Sequence, residues 1–175
     1  GITIGGAQKR IVIKDGVVEN VSTAPAILAA GSEYITIKNV TAKNADAGIS
    51  FEDITNGLIE HCSFTRNNTG LRLESSYKII VDKSIASCNV DVGFELLQSR
   101  TCILTDCKAL STGEGNTIQE ANEVFGFVSQ GGFANIFERC IANSTQALTS
   151  TDFDSLVAGF ALRGSERNSK IVDCE

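Results

Sequence analysis

Apolar and polar residues alternate along this chain in short runs, and the runs recur in a fixed order. The first kind of run places Ile49/Phe51, Leu71/Leu73, Phe94/Leu96 and Phe160/Leu162 on one side, each pair after a Gly. A second kind follows at Ile35/Ile37, Ile79/Val81, Cys102/Leu104 and the lone Phe137. A third follows closely at Val40/Ala42, Cys62/Phe64, Ser84/Ala86, Cys107/Ala109 and Cys140/Ala142. Alternation with period 2 in runs this short predicts strands with one buried face. Only two residues separate the second run from the third, so no helix fits between them.

The Gly-apolar steps begin at Gly1, Ala26, Gly48, Gly70, Gly93, Gly126 and Gly159, at intervals of 25, 22, 22, 23, 33 and 33 residues. A fixed period of this length means one supersecondary unit stacked on copies of itself. Three strands per unit, no helix, and like residues at like positions predict an all-β, right-handed, single-stranded parallel β-helix. It has about seven coils of three short strands, with long loops in two of them. Coils ~4.8 Å apart stack equivalent side chains into continuous interior columns. The L-x-x-L-x-L-x-x-N phrase of leucine-rich repeats is missing, and so is the six-residue period of the left-handed hexapeptide solenoid.

The segments GLIEHCSFTRNNTGLRLESSYKIIVDKSIASCNVDVGFELLQS and GFANIFERCIANS carry this pattern most clearly. They resemble the right-handed β-helix repeats of the pectin-lyase-like superfamily, and more closely those of periplasmic NosD-type proteins and of carbohydrate-binding or sugar-hydrolysing β-helices. The resemblance spans roughly residues 26–175. It implies a saccharide groove floored by the outer face of the first sheet and walled by the turn before it. It also implies an extracytoplasmic, cell-surface or virion-associated setting.

Length and composition add limits. At 175 residues the chain reads as a single domain, 1–175. It starts inside an apolar alternation and stops mid-repeat, as a piece of a longer protein does. A net charge of -6 argues against nucleic-acid binding, and no apolar run reaches a membrane span. Four of the six Cys share one repeat position among small and apolar neighbours, which predicts a buried column of thiols. No CxxC occurs, and sulfur-based metal binding is not expected. The open ends of such a solenoid expose unpaired backbone, so end-to-end or side-by-side self-association is expected of it.

The outward positions of the first sheet supply the candidate chemistry. Glu52, Glu74 and Glu95 stack into a carboxylate cluster with Arg72 beside it, while Gln130 and Arg163 continue the face. Close carboxylates push one another's pKa values apart, as an acid/base pair or a cation site requires. A solvated face with compensating charges accounts for the same residues. The two 33-residue coils carry insertions at roughly 110–125 and 144–158, whose acids Glu114, Glu120, Glu123, Asp152 and Asp154 suit a hard cation such as Ca²⁺. These insertions either serve function, as long loops on a regular scaffold do, or pack together through Phe125, Phe153 and Leu156.

The superfamily's catalytic phrases are missing: no Asn-Thr-Asp, Gly-His-Gly, Trp-x-Asp-His or Asp-Pro-His-Asp is present. The single His, His61, reads as an exposed turn residue, and Tyr77 as a ligand-stacking ring or a turn cover. The sequons at Asn20, Asn39, Asn67 and Asn143 carry no assigned role. The first expectation is a binding or scaffold module that presents an acidic face and two loops to a glycan or protein partner, without a cofactor. A polysaccharide lyase or glycoside hydrolase using Glu52, Arg72, Glu74 and Glu95 is the second. A structural spacer or assembly element is the third.

Overall fold

A computed structural model describes residues 1–21, 23–113, 123–146 and 156–175. The repeat becomes a stack of seven coils whose strands all pair in parallel. Ile2 pairs with Ile27 and Ile27 with Ile49, and the column continues through Leu71, Phe94, Phe127 and Phe160. Those strands form a seven-stranded first sheet. The second and third runs form two further sides of a prism, and no helix occurs among the described residues.

Three short strands do not occur in every coil. In the first two coils the second and third runs join into single ten-residue strands, Val12–Val21 and Thr36–Ala45, which bend around the corner together. Asn39 donates to Asp15 at that corner, and Asn44 donates to Asn20 at the next, both at 3.0 Å. These side-chain bonds hold the pair of strands through the bend. From the third coil onward the strands separate, as in Thr55–Glu60 and Ser63–Thr65.

The corners explain how a chain with one Pro turns so often. The residues at one corner, Asp15, Asn39, His61, Lys83, Asp106, Arg139 and Asp173, all lie in the left-handed region, with φ between 45° and 56°. A single residue of this kind redirects the strand, at roughly 1–2 kcal/mol for a side chain with a Cβ. His61 is thus a corner residue, exposed, with Nδ1 3.4 Å from Glu60.

The interior is built of columns. Phe94, Phe127 and Phe160 stack nearly parallel with centroids 4.7 and 4.8 Å apart, matching the coil spacing. Cys62, Ser84, Cys107 and Cys140 form the small-residue column and are buried. Cys174 rejoins it, one residue late, by accepting from the Cys140 N–H at 3.3 Å. All six cysteines are free thiols, and burial pushes the Cys102 thiol up to about 11.

The recurring Gly has a steric cause. A Cβ on Gly70 would sit 2.4 Å from the Gly93 carbonyl oxygen and 2.9 Å from the Ala86 Cβ. Gly48, Gly93 and Gly126 face the same obstacle at 2.5–2.6 Å, so adjacent coils approach too closely there for any side chain.

Beside this step runs an asparagine ladder. Asn67 Oδ1 accepts from the Ala45 N–H and Asn89 Oδ1 from the Asn67 N–H, both at 3.0 Å. Each side-chain amide also donates to an interior carbonyl, Asn67 to Ala42 and Asn89 to Phe64. Buried backbone groups at the turn into the first sheet are satisfied this way. Because Asn67 is 1% exposed, its sequon is closed in the folded chain.

Candidate functional site

The outer face of the first sheet carries columns that change residue type from coil to coil. One reads Ser50, Arg72, Glu95, Val128, Ala161. Its neighbour reads Glu52, Glu74, Leu97, Gln130, Arg163. The expected carboxylate cluster therefore divides. Glu52 and Glu74 oppose each other directly, with Ser50 Oγ 3.4 Å from Glu52. Glu95 belongs to the other column, where the Arg72 Nε donates to it at 2.7 Å. Counted from each coil's Gly, Ser50, Arg72 and Glu95 stand two residues on and Glu52 and Glu74 four, so the repeat itself separates the two columns.

The Arg72–Glu95 pair is half-buried, its side chains 31% and 16% exposed. Burial opposes the charge on Arg72, and the hydrogen bond and charge of Glu95 outweigh it, so the guanidinium lies above its ordinary value. Arg72 also reaches Thr69 Oγ1 at 3.4 Å. Its Nη1 has no hydrogen-bond partner among the described residues. Three coils away, Arg163 is held by both carboxylate oxygens of Glu123 and lies 5.3 Å from the Phe125 ring centre.

Between the two arginines lies a groove of about 420 Å³. Arg72, Asp91 and Glu95 line one end, and Gln130, Glu123 and Arg163 the other. Its base is a small apolar cluster of Val92, Phe125 and Val128, separate from the interior core and packed against Ala158 and Ala161. Glu123 and Phe125 enter where the 33-residue coil's insertion returns to the sheet, at the start of the strand Val124–Gln130. The longer coils thus do contribute to this face. Glu114, Glu120, Asp152 and Asp154 lie outside the described residues, as does Phe153.

Asp91 went unnoticed in the sequence. Burial, then the charges of Glu95 and Asp46, hold its carboxyl above the usual carboxylate range, and Arg72 only partly offsets them. Its signal was positional: Asp46, Asn68 and Asp91 each stand two residues before a Gly step. Asp46 accepts from Asn68 Nδ2 at 3.1 Å along that column. Among the described residues, no group of three or more His, Cys, Asp or Glu side chains is placed to hold a metal ion.

Comparison with known proteins fits this architecture. The periplasmic alginate epimerase AlgG superposes with a TM-score of 0.69 over 95% of this chain and 46% of its own length, at 15% identity. Its T265N T268M double mutant gives 0.71 at 16% identity, over the same shares of both chains. The Azotobacter vinelandii mannuronan C-5 epimerase AlgE4 A-module gives 0.53 at 11% identity, over 94% of this chain and 54% of its own. The chain spans about half the length of each. At these identities the likeness is one of fold. No curated protein sequence matches. The model of the right-handed β-helix region matches residues 1–175, and the chain belongs to that family.

Proposed function

We propose that the chain is a glycan-binding β-helix module whose ligand lies in the first-sheet groove. The observation that carries this reading is the groove's rim: two arginine–carboxylate pairs, Arg72–Glu95 and Arg163–Glu123, fixed at opposite ends of one depression over a closed apolar base. Each pair holds its partners in place and still offers unused donors and lone pairs, the arrangement that vicinal sugar hydroxyls require. Gln130 adds an amide between them. Resemblance in fold to epimerases of alginate and mannuronan supports a saccharide as the class of ligand. Because each guanidinium is already neutralised and Asp91 adds a further carboxylate, the groove favours uncharged sugars over polyanions.

A panel of neutral and uronate oligosaccharides, alginate included, tests this by calorimetry. Binding of at least one neutral oligosaccharide is expected, weakened at least ~10-fold by Gln130→Ala and by Arg163→Ala with folding retained. No binding across the panel, or binding indifferent to both variants, would contradict the reading.

One observation favours a second reading, glycan cleavage. Burial in the groove raises the Asp91 carboxyl above the ordinary carboxylate range, and it stands in the same depression as the Arg72–Glu95 pair, the placement of a candidate proton donor. Cleavage predicts new reducing ends or unsaturated products from the same panel, lost in Glu95→Gln.

A further inference from the structure

The outer face of the second sheet is unlike the other two. Its central outward column reads Val12, Thr36, Leu58, Ile80, Ile103, Ile136 through six coils without a charge and ends on Lys170 in the seventh. The corresponding column on the third sheet, Val17, Thr41, Ser63, Ile85, Lys108, Ile141, is broken by polar residues. Val12 is 61% exposed and Ile80 48%, and the rings of Tyr34, Tyr77 and Phe133 stand exposed along one border. Tyr34, Leu58, Ile80 and Ile103 line a shallow depression of about 430 Å³ on it. A sheet face apolar on both sides is the mark of one that is covered.

The charges bordering this stripe indicate what covers it. On the border where each coil enters the second sheet stand Lys9, Arg10, Lys78, Arg100 and Arg167, opposed only by Glu33. The border where each coil leaves it carries Asp15, Glu60, Asp82, Asp106, Glu138 and Asp173 against Lys14, Lys38, Lys83 and Arg139, and stays acidic on balance although four of these acids are ion-paired within the chain. Turning one copy about a two-fold axis parallel to the solenoid lays stripe on stripe and sets each basic border against the partner's acidic one. A two-fold interface must be complementary to itself, and this face is.

We propose that two copies of the chain pair side by side through the second-sheet stripe. Five steps of ~4.8 Å make it about 24 Å long, and with both borders it covers roughly 500 Å² per copy. That is below the usual ~800 Å² per partner, so the pair is weak. The first-sheet grooves lie on another side of the prism and stay open in the pair.

Sedimentation velocity of the whole chain from ~5 to ~500 µM tests this, at low and high salt. The expected result is a monomer that converts to a closed dimer, less readily at high salt. Ile80→Lys should weaken dimerisation at least ~10-fold while melting as wild type, and Ile103→Lys serves as an independent variant at the same stripe. Lys78→Glu should also weaken it, and adding Asp82→Lys in the same chain should restore it. A monomer throughout, mass growing beyond two copies as end-to-end stacking would give, or a dimer that survives both Ile variants would overturn the proposal.

Discussion

Inside the solenoid each column stays apolar or small through every coil, and on the outer face of the first sheet the columns change chemistry from one coil to the next. Phe94, Phe127 and Phe160 repeat one ring three times, while Ser50, Arg72, Glu95, Val128 and Ala161 repeat nothing. Both kinds of column rest on the same parallel backbone, so geometry is not the cause. The interior has one requirement, to fill a fixed cross-section at a fixed spacing, and that requirement recurs with each coil. No packing demand forces the outer face to alternate charge signs or to bury an ion pair beside a third carboxylate. Regularity therefore marks scaffold here, and its loss marks the groove.

Substitutions can break this contrast or sharpen it. The largest effect is expected inside, at Gly70→Ala, where the new Cβ meets the Gly93 carbonyl at 2.4 Å. Neither coil can withdraw without losing its ladder of hydrogen bonds, so destabilisation of about 3 kcal/mol or more is expected in chemical denaturation. If Gly70→Ala melts as wild type, the close approach of coils is not what fixes the repeat.

Asn89→Ala comes next. It leaves the Asn67 N–H and the Phe64 carbonyl buried without partners, with an expected loss of about 2–4 kcal/mol on the same scale. Asn89→Asp, which keeps the acceptor and loses the donor, should fall between the two.

Outside, the effects shrink. Arg72→Met strips the partner from a carboxylate only 16% exposed, and a stability loss of about 1–2 kcal/mol is expected, along with loss of glycan affinity. Smallest and opposite in sign is Asp91→Asn. Because the folded chain raises the Asp91 pKa, ionising it opposes folding above that pKa. The variant should therefore melt higher than wild type at neutral pH. The gain should fade as pH falls from the raised value toward the ordinary one of 3.8, where Asp91 is protonated in both states. A lower melting temperature at neutral pH would show that Asp91 supports the scaffold.

The fold was legible because its cause is periodic. Gly, Phe and Cys recur at positions set by coil spacing, and alternation within each run separates inside from outside. The ladder was less so: Asn67 stands three residues before its Gly and Asn89 four, because the coil between them holds one extra residue. The groove was only half legible. Arg72, Glu95, Gln130 and Arg163 could be placed on one face and, by their offset from each coil's Gly, in their columns, but which side chains pair depends on their conformations. Asp91 and Glu123 come from the turn and the insertion end before the sheet, and Phe125 stands at the start of a strand buried on both faces, so alternation carries no information at any of the three. Glu52 and Glu74 were rightly placed outward, yet neither lines the groove.

If the ligand lies on the outer face of the first sheet, that face alone should respond to it. Backbone amide shifts followed by NMR, during titration with the tightest-binding oligosaccharide of the panel, read this residue by residue. Shifts should gather at Thr69, Asp91, Glu95, Gln130 and Arg163, leaving Leu58, Ile80 and Ile103 of the second sheet unmoved. Shifts centred on the second-sheet stripe or the third sheet, with the groove silent, would contradict it.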